Sequence, residues 1–194
     1  MNQDNRPLSQ RFPGGCYIGF NAAIDRKAAE QLVMVLTQAV QNGVKTINLA
    51  ISSAGGILDH AYYAHHWIEG LPVKMVTYNV GSVQSAANLL FLCGDERYGV
   101  DASTFFFHQS GFDTAPGQRL SAKFVRERLK GMKYDDSRTA QIYATKTGRP
   151  IKDVRKWMDT ELVMDTGVAI QSGLIQGVRP YQIPPDAFHH QVIV

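Results

Sequence analysis

The chain opens on a polar stretch of 15 residues ending in Pro13-Gly14-Gly15, read as a flexible N-terminal arm, and then turns apolar. Cys16 to Phe20 predicts a short strand. Behind a plausible N-cap at Asp25, the residues Ala28, Ala29, Leu32, Val33, Leu36, Ala39 and Val40 recur at helical spacing until Gly43 stops them. Thr46 to Ser52 is a β-rich run that ends in Ser53-Ala54-Gly55-Gly56. A second helix is predicted over about Leu58 to Glu69, closed by Gly70 and Pro72. Val73 to Val80 predicts another strand, Ser85 to Leu92 a buried apolar helix, and Thr104 to Phe107 a strand of bulky side chains.

Strands that alternate with helices, and are themselves almost continuously apolar, predict α/β architecture with helices covering a largely parallel sheet. Leu120 to about Thr147 departs from that rhythm. It reads as one long helix with Phe124, Val125, Leu129, Met132, Ala140 and Tyr143 on a drifting apolar stripe, and with Gly131 inviting a bend. A helix of that length and polarity needs a partner surface, so it is expected to be an oligomerisation element. Pro150 opens a further helix, Asp165 caps a short one and Gly173 ends it. After Val178 the prolines Pro180, Pro184 and Pro185 predict an irregular tail over 179–194.

Composition narrows the class. The 194 residues suit one domain, and 44% hydrophobic with 19% charged residues excludes a wholly disordered chain. The net charge of +3 comes from 20 basic and 17 acidic residues scattered without a stripe, which argues against nucleic acid as a partner. No apolar run approaches the roughly 18 residues of a membrane span, and the first residues lack the apolar region of a secretory leader. The expected location is cytoplasmic. Cys16 and Cys93 lie far apart in apolar surroundings, forming neither a CxxC nor a zinc pattern, and are read as reduced buried thiols.

Two turns could carry chemistry. Gly55-Gly56 follows a buried strand and permits close approach to exposed backbone N–H groups, although a lone Gly-Gly is usually only a turn. Ser85 sits between a strand and an apolar helix, where serine is most often a cap. It becomes a nucleophile candidate only with a base and an oxyanion hole beside it. Among the histidines, His60, His65 and His66 are read as surface or partly buried helix residues, and His189 and His190 fall in the tail. His108 follows Phe105-Phe106-Phe107 at the end of a predicted strand, which is where parallel sheets build sites.

Taken together, ISSAGG (51–56), GSVQSAA (81–87), FFFHQSG (105–111), IYATKTGRP (142–150) and MDTELVMDTGVAIQSGLI (158–175) resemble the proteolytic subunit of the Clp protease, in that family's order. The resemblance covers about residues 16–178 and implies a ClpP/crotonase-like fold, with a protruding handle over about 111–147. It implies a serine peptidase acting on peptides or unfolded proteins inside a homo-oligomer of stacked rings. Ser85 falls on the family's nucleophile and His108 on its base. Counting back from Gly173, the catalytic acid falls on Glu161, with Asp159 as a rival. Gly56 and Ala86 fall on the backbone oxyanion hole, and Gly55 shapes the turn against the substrate.

The reaction so implied needs no metal or organic cofactor. Ala54 stands for the family's proline and Ala86-Ala87 for its Met-Gly. The arm is short and lacks the family's axial-loop sequence, which counts against an ATP-driven unfoldase as regulator. Two other readings share these features: a crotonase-like acyl-CoA enzyme, and a non-catalytic Clp-like ring subunit, for which the change to Glu161 speaks.

Overall fold

The computed structural model describes residues 7–193, so the first six residues of the expected arm lie outside the described part. Two compact units divide the chain: a larger one over 1–106 and 163–194, and a smaller one over 107–162.

The larger unit holds the sheet. A short helix α1 (Leu8–Arg11) precedes β1 (Cys16–Asn21), α2 (Arg26–Gln41), β2 (Thr46–Ser53), α3 (Leu58–Glu69), β3 (Lys74–Gln84), α4 (Ala87–Phe91), β4 (Glu96–Gly99) and β5 (Thr104–Phe106). After the smaller unit come β6 (Val163–Met164), α7 (Thr166–Gln171), β7 (Gly177–Val178) and β8 (Phe188–Val192). Among the described residues the order is β6-β5-β3-β2-β1-β8, with β4 joining β3 to β7 off that path. Every pairing is parallel except β5 with β6.

The predicted caps form. Asp25 accepts from the Ala28 N–H at 2.8 Å to start α2, whose inward face buries Ala28, Ala29, Leu32, Val33, Val35, Leu36 and Ala39. Strand residues Ile18, Phe20, Ile47, Leu49 and Ile51 are equally buried. Each contributes about 1.5–3 kcal/mol by leaving water, and together they fix which strand ends present the turns.

Three expectations change. β3 runs past Val80 to Gln84, because its first half pairs β4 over Val76–Asn79 and its second half pairs β5 over Ser82–Gln84. A register shift against β2 between Ile51 and Ser53 accommodates that change of partner. The following helix starts at Ala87 rather than Ser85, because Ser85 takes a left-handed backbone (φ 53°) that no helix accepts. The tail is not wholly irregular either. β8 pairs in parallel with β1 from Cys16↔Phe188 to Phe20↔Val192, and the prolines precede the strand, so its ladder is intact.

The smaller unit contains α5 (Ala122–Thr147) and α6 (Ile151–Asp159). Ser121 caps α5 by accepting from the Phe124 N–H at 3.1 Å, and Gly148 ends it with φ 69°. The helix passes Gly131 without interruption. Its buried residues, Thr139, Ala140, Tyr143 and Ala144, all belong to the second half, whereas Val125, Leu129 and Tyr134 are exposed. The apolar stripe read from the sequence is therefore buried inside this chain near its C-terminal end, and in the first half Phe124 packs against Phe112 with ring centroids 6.2 Å apart.

Candidate active site

The serine turn is built from local sterics. Ser85 ends β3 with φ 53°, a conformation costing a non-glycine residue of order 1–3 kcal/mol. Two bonds to the next strand hold it there. The Ser85 N–H donates to the Phe106 carbonyl at 2.9 Å, and the Asn88 side-chain amide donates to both the Phe106 carbonyl at 2.9 Å and the Ser85 carbonyl at 3.0 Å. Asn88 is fully buried, and its bonds bracket the serine from the first turn of α4. In the sequence it is only an interruption of an apolar run. A lone amide three residues after a candidate nucleophile was the signal for its role.

The glycine turn lies against the serine turn. Gly55 has φ 89°, and a Cβ placed on it would stand 2.8 Å from the Gln84 carbonyl oxygen, 2.8 Å from Ser85 Cβ and 3.0 Å from the Ala86 nitrogen. Only glycine fits both the angle and the space. Gly56 makes a single parallel bridge to Ile24, through Ile24 N–H to the Gly55 carbonyl and Ile57 N–H to the Ile24 carbonyl, both at 2.8 Å. Those bonds use the groups on either side of Gly56 and not its own N–H. Ala86 is the residue before α4, so its N–H has no helical acceptor. Ser53 Oγ fixes the turn by donating to the Ala22 carbonyl at 2.6 Å and accepting from the Gly55 N–H at 3.1 Å. The larger unit thus brings Gly55, Ser85 and Ala86 together at the carboxyl ends of β2 and β3.

The histidine and the acids belong to the smaller unit. The antiparallel ladder of β5 and β6 pairs Phe105 with Met164 and Phe106 with Val163. One residue further, the Phe107 N–H donates to the Leu162 carbonyl at 3.0 Å. Beyond that bond the next residues of the two segments are His108 and Glu161, with Asp159 two positions further along. Neighbours of His108 are pinned on both sides: the Phe107 ring contacts Tyr143 and Trp157 at centroid distances of 5.5 and 5.6 Å, and the Ser110 N–H donates to Asp136 at 2.7 Å. The Gln109 amide donates to Asp159 Oδ1 at 2.6 Å, which occupies the rival carboxylate with another partner. Glu161 itself has φ 51°, a second left-handed non-glycine residue at a candidate position.

His65 departs from the reading of it as a surface or partly buried residue. It lies on the inward face of α3 with Ala61, Tyr62, Ala64 and Ile68, is 3% exposed, and its Nδ1 stands 2.9 Å from the Leu89 carbonyl. Cys16 and Cys93 are both free and buried. Burial pushes the Cys16 thiol up to about 11, which makes it a poor nucleophile at neutral pH.

A serine held in a strained turn at the carboxyl ends of parallel strands, with a glycine turn pressed against it, is the arrangement of an acyl-transferring hydrolase. The comparisons with known proteins make that class specific. The sequence profile of the Clp protease family matches residues 8–181, and the chain belongs to that family and is a ClpP-type peptidase. Among its relatives are the ATP-dependent Clp protease proteolytic subunit of Paracoccus denitrificans, 27% identical over 153 residues (75% of each chain), and subunit 2 of Treponema denticola, 24% identical over 178 residues (90% of this chain and 87% of that one). A solved ClpP1 mutant from Listeria monocytogenes superposes with a TM-score of 0.78 at 17% identity, covering 90% of this chain and 97% of its own, which shows the shared fold. The crotonase-like alternative gives way to this assignment. No helix among the described residues is long and apolar enough to cross a membrane.

Proposed function

We propose that the chain is a serine endopeptidase in which Ser85 is the nucleophile, His108 the general base and Glu161 the acid that orients it. His108 takes the Ser85 proton as Oγ attacks the peptide carbonyl, and returns it to the leaving amine. Glu161 holds the imidazole tautomer and stabilises the imidazolium. The N–H groups of Gly56 and Ala86 receive the developing oxyanion, each worth about 3–4 kcal/mol of barrier. Gly55 keeps the floor of the site flat, so that an extended peptide can lie along it as an added strand. The observation that carries this reading is the strained backbone of Ser85, braced by Asn88 and pressed against Gly55. Such strain marks a functional residue more often than a cap. For the acid, the register beyond Phe107 and the bond from Gln109 to Asp159 favour Glu161.

The working form is proposed to be a homo-oligomer of stacked rings with the sites facing a chamber, in the cytoplasm. Its basis is the exposed first half of α5, where Val125 and Leu129 need a covering surface. The relatives' names carry ATP dependence, and an ATP-driven unfoldase feeding this chain would share that property.

Hydrolysis of a fluorogenic peptide and of an unfolded protein tests the chemistry. Ser85→Ala should lower turnover about a thousandfold or more while leaving the assembly unchanged by light scattering. Unchanged turnover would move the nucleophile elsewhere, with Ser82 next. In the same instrument, wild-type protein should scatter as an oligomer and a double change of Phe124 and Leu129 to Glu should dissociate it. A monomeric wild type would sink the assembly proposal.

A further inference from the structure

Apart from the serine site, the larger unit gathers three metal-binding side chains that the peptidase reaction does not use. His65 and Glu69 stand one turn apart on α3, the spacing that puts two ligands on one helical face. Cys93 follows the C-terminal end of α4, and its Sγ lies 3.2 Å from His65 Nδ1. One donor atom from each of the three residues lies within 4.8 Å of the others. His65 and Cys93 are buried, and Glu69 is exposed.

We infer that His65, Glu69 and Cys93 form a binding site for a borderline-soft divalent cation of the zinc type. A tetrahedral zinc ion, with bonds of about 2.0–2.3 Å, sets its donor atoms about 3.3–3.8 Å apart. The sulfur and the imidazole nitrogen already approach that spacing. One comes from α3 and the other from the turn that follows α4, and both are buried in contact with each other, so the pair is preformed. Glu69 ends its helix in solvent and closes the remaining gap by rotating its side chain. Thiolate and imidazole together select zinc, or cobalt as its stand-in, over magnesium or calcium, which prefer all-oxygen sites.

Without metal, the Leu89 carbonyl serves both side chains: His65 Nδ1 is 2.9 Å from it and Cys93 Sγ 3.4 Å. Ligation exchanges those contacts for metal bonds. The Cys93 thiol gives up its proton to solvent, and His65 takes the tautomer with its proton on Nε2, so that Nδ1 presents its lone pair to the ion. Three protein ligands leave one position open on the Glu69 side, where solvent enters. The ion would tie α3 to the end of α4, the helix whose first turn braces Ser85.

Cobalt(II) titration of the full-length reduced protein tests the inference, because thiolate ligation produces a near-ultraviolet charge-transfer band. The expected result is a band saturating at one cobalt per chain and bleached by an equivalent of zinc. Cys93→Ala should abolish it and Cys16→Ala should leave it unchanged. Glu69→Gln, at an exposed position that does not threaten the fold, should weaken cobalt binding by more than about tenfold. A flat titration of the wild type would overturn the site, and so would a band that survives Cys93→Ala or disappears with Cys16→Ala. Equal affinity in Glu69→Gln would remove the carboxylate from the site and refute the three-ligand assignment.

Discussion

The serine turn and the histidine–acid segment reach their positions by different physics. Around Ser85 the devices are particular residue types: a left-handed serine, a glycine that no side chain could replace, and one asparagine bonded to the Ser85 and Phe106 carbonyls. Around His108 the placement rests on strand register instead. The segment is anchored by a ladder that joins residues more than 50 apart in sequence, begun by β5 and β6 and continued by the Phe107–Leu162 bond, and the proposed pairing with Glu161 extends that ladder by one step. A turn can be recognised by its residue types. A register can be seen only once two distant segments are paired, and an error of two residues exchanges one carboxylate for another.

That contrast predicts how each region fails. The most severe change should be Gly55→Ala. Its methyl group would enter within 3 Å of Gln84 and Ser85 at a backbone angle closed to alanine. Peptide hydrolysis should fall to background, and urea unfolding should show a loss of a few kcal/mol. A variant with full activity would show that the two turns are not as tightly apposed as the structure has them.

The second test sharpens the register. Glu161→Gln should reduce turnover by about 10²–10⁴-fold with little change in KM, since only the orienting charge is lost. Asp159→Asn should cost less than about tenfold, because Gln109 already donates to that carboxylate. The opposite order would transfer the acid to Asp159 and show that the ladder does not continue past Phe107 as drawn.

A smaller effect is expected at Asn88. Replacement by Ala removes the amide that serves the Ser85 and Phe106 carbonyls. Each carbonyl keeps a backbone donor, the N–H of position 88 for Ser85 and the Ser85 N–H for Phe106, so the loss is that of ordinary hydrogen bonds, about 0.5–1.5 kcal/mol each. Turnover should drop by roughly an order of magnitude, and KM should hold, if the amide's task is to keep Ser85 in its strained turn. A stability loss with turnover intact would make Asn88 a packing residue only.

Much of this was legible in the chain beforehand. The alternation of apolar strands and capped helices pointed to the layered α/β fold, and Asp25 and Asp165 start their helices as their chemistry requires. The glycine and serine turns were visible because φ-permissive residues flank buried strands. β8 was not, since its strand residues follow a run of prolines and its partner β1 lies at the other end of the sequence. Nor was β4, four residues that include Glu96 and Arg97, where the buried guanidinium is satisfied by the Gly94, Gly173 and Leu174 carbonyls. His65 was misplaced because the inward face of α3 mixes alanines with a tyrosine and a histidine, and weak apolar contrast hides which face turns in.

The central claim is that Ser85 is a nucleophile activated by His108, and covalent trapping tests it most directly. The wild-type protein, incubated with a fluorophosphonate probe, should gain the mass of one adduct per chain, mapped by peptide mass spectrometry to Ser85. His108→Ala should slow that labelling by orders of magnitude, and Ser85→Ala should abolish it. Absence of an adduct on folded wild-type protein, or an adduct on another residue that persists in Ser85→Ala, would contradict the account.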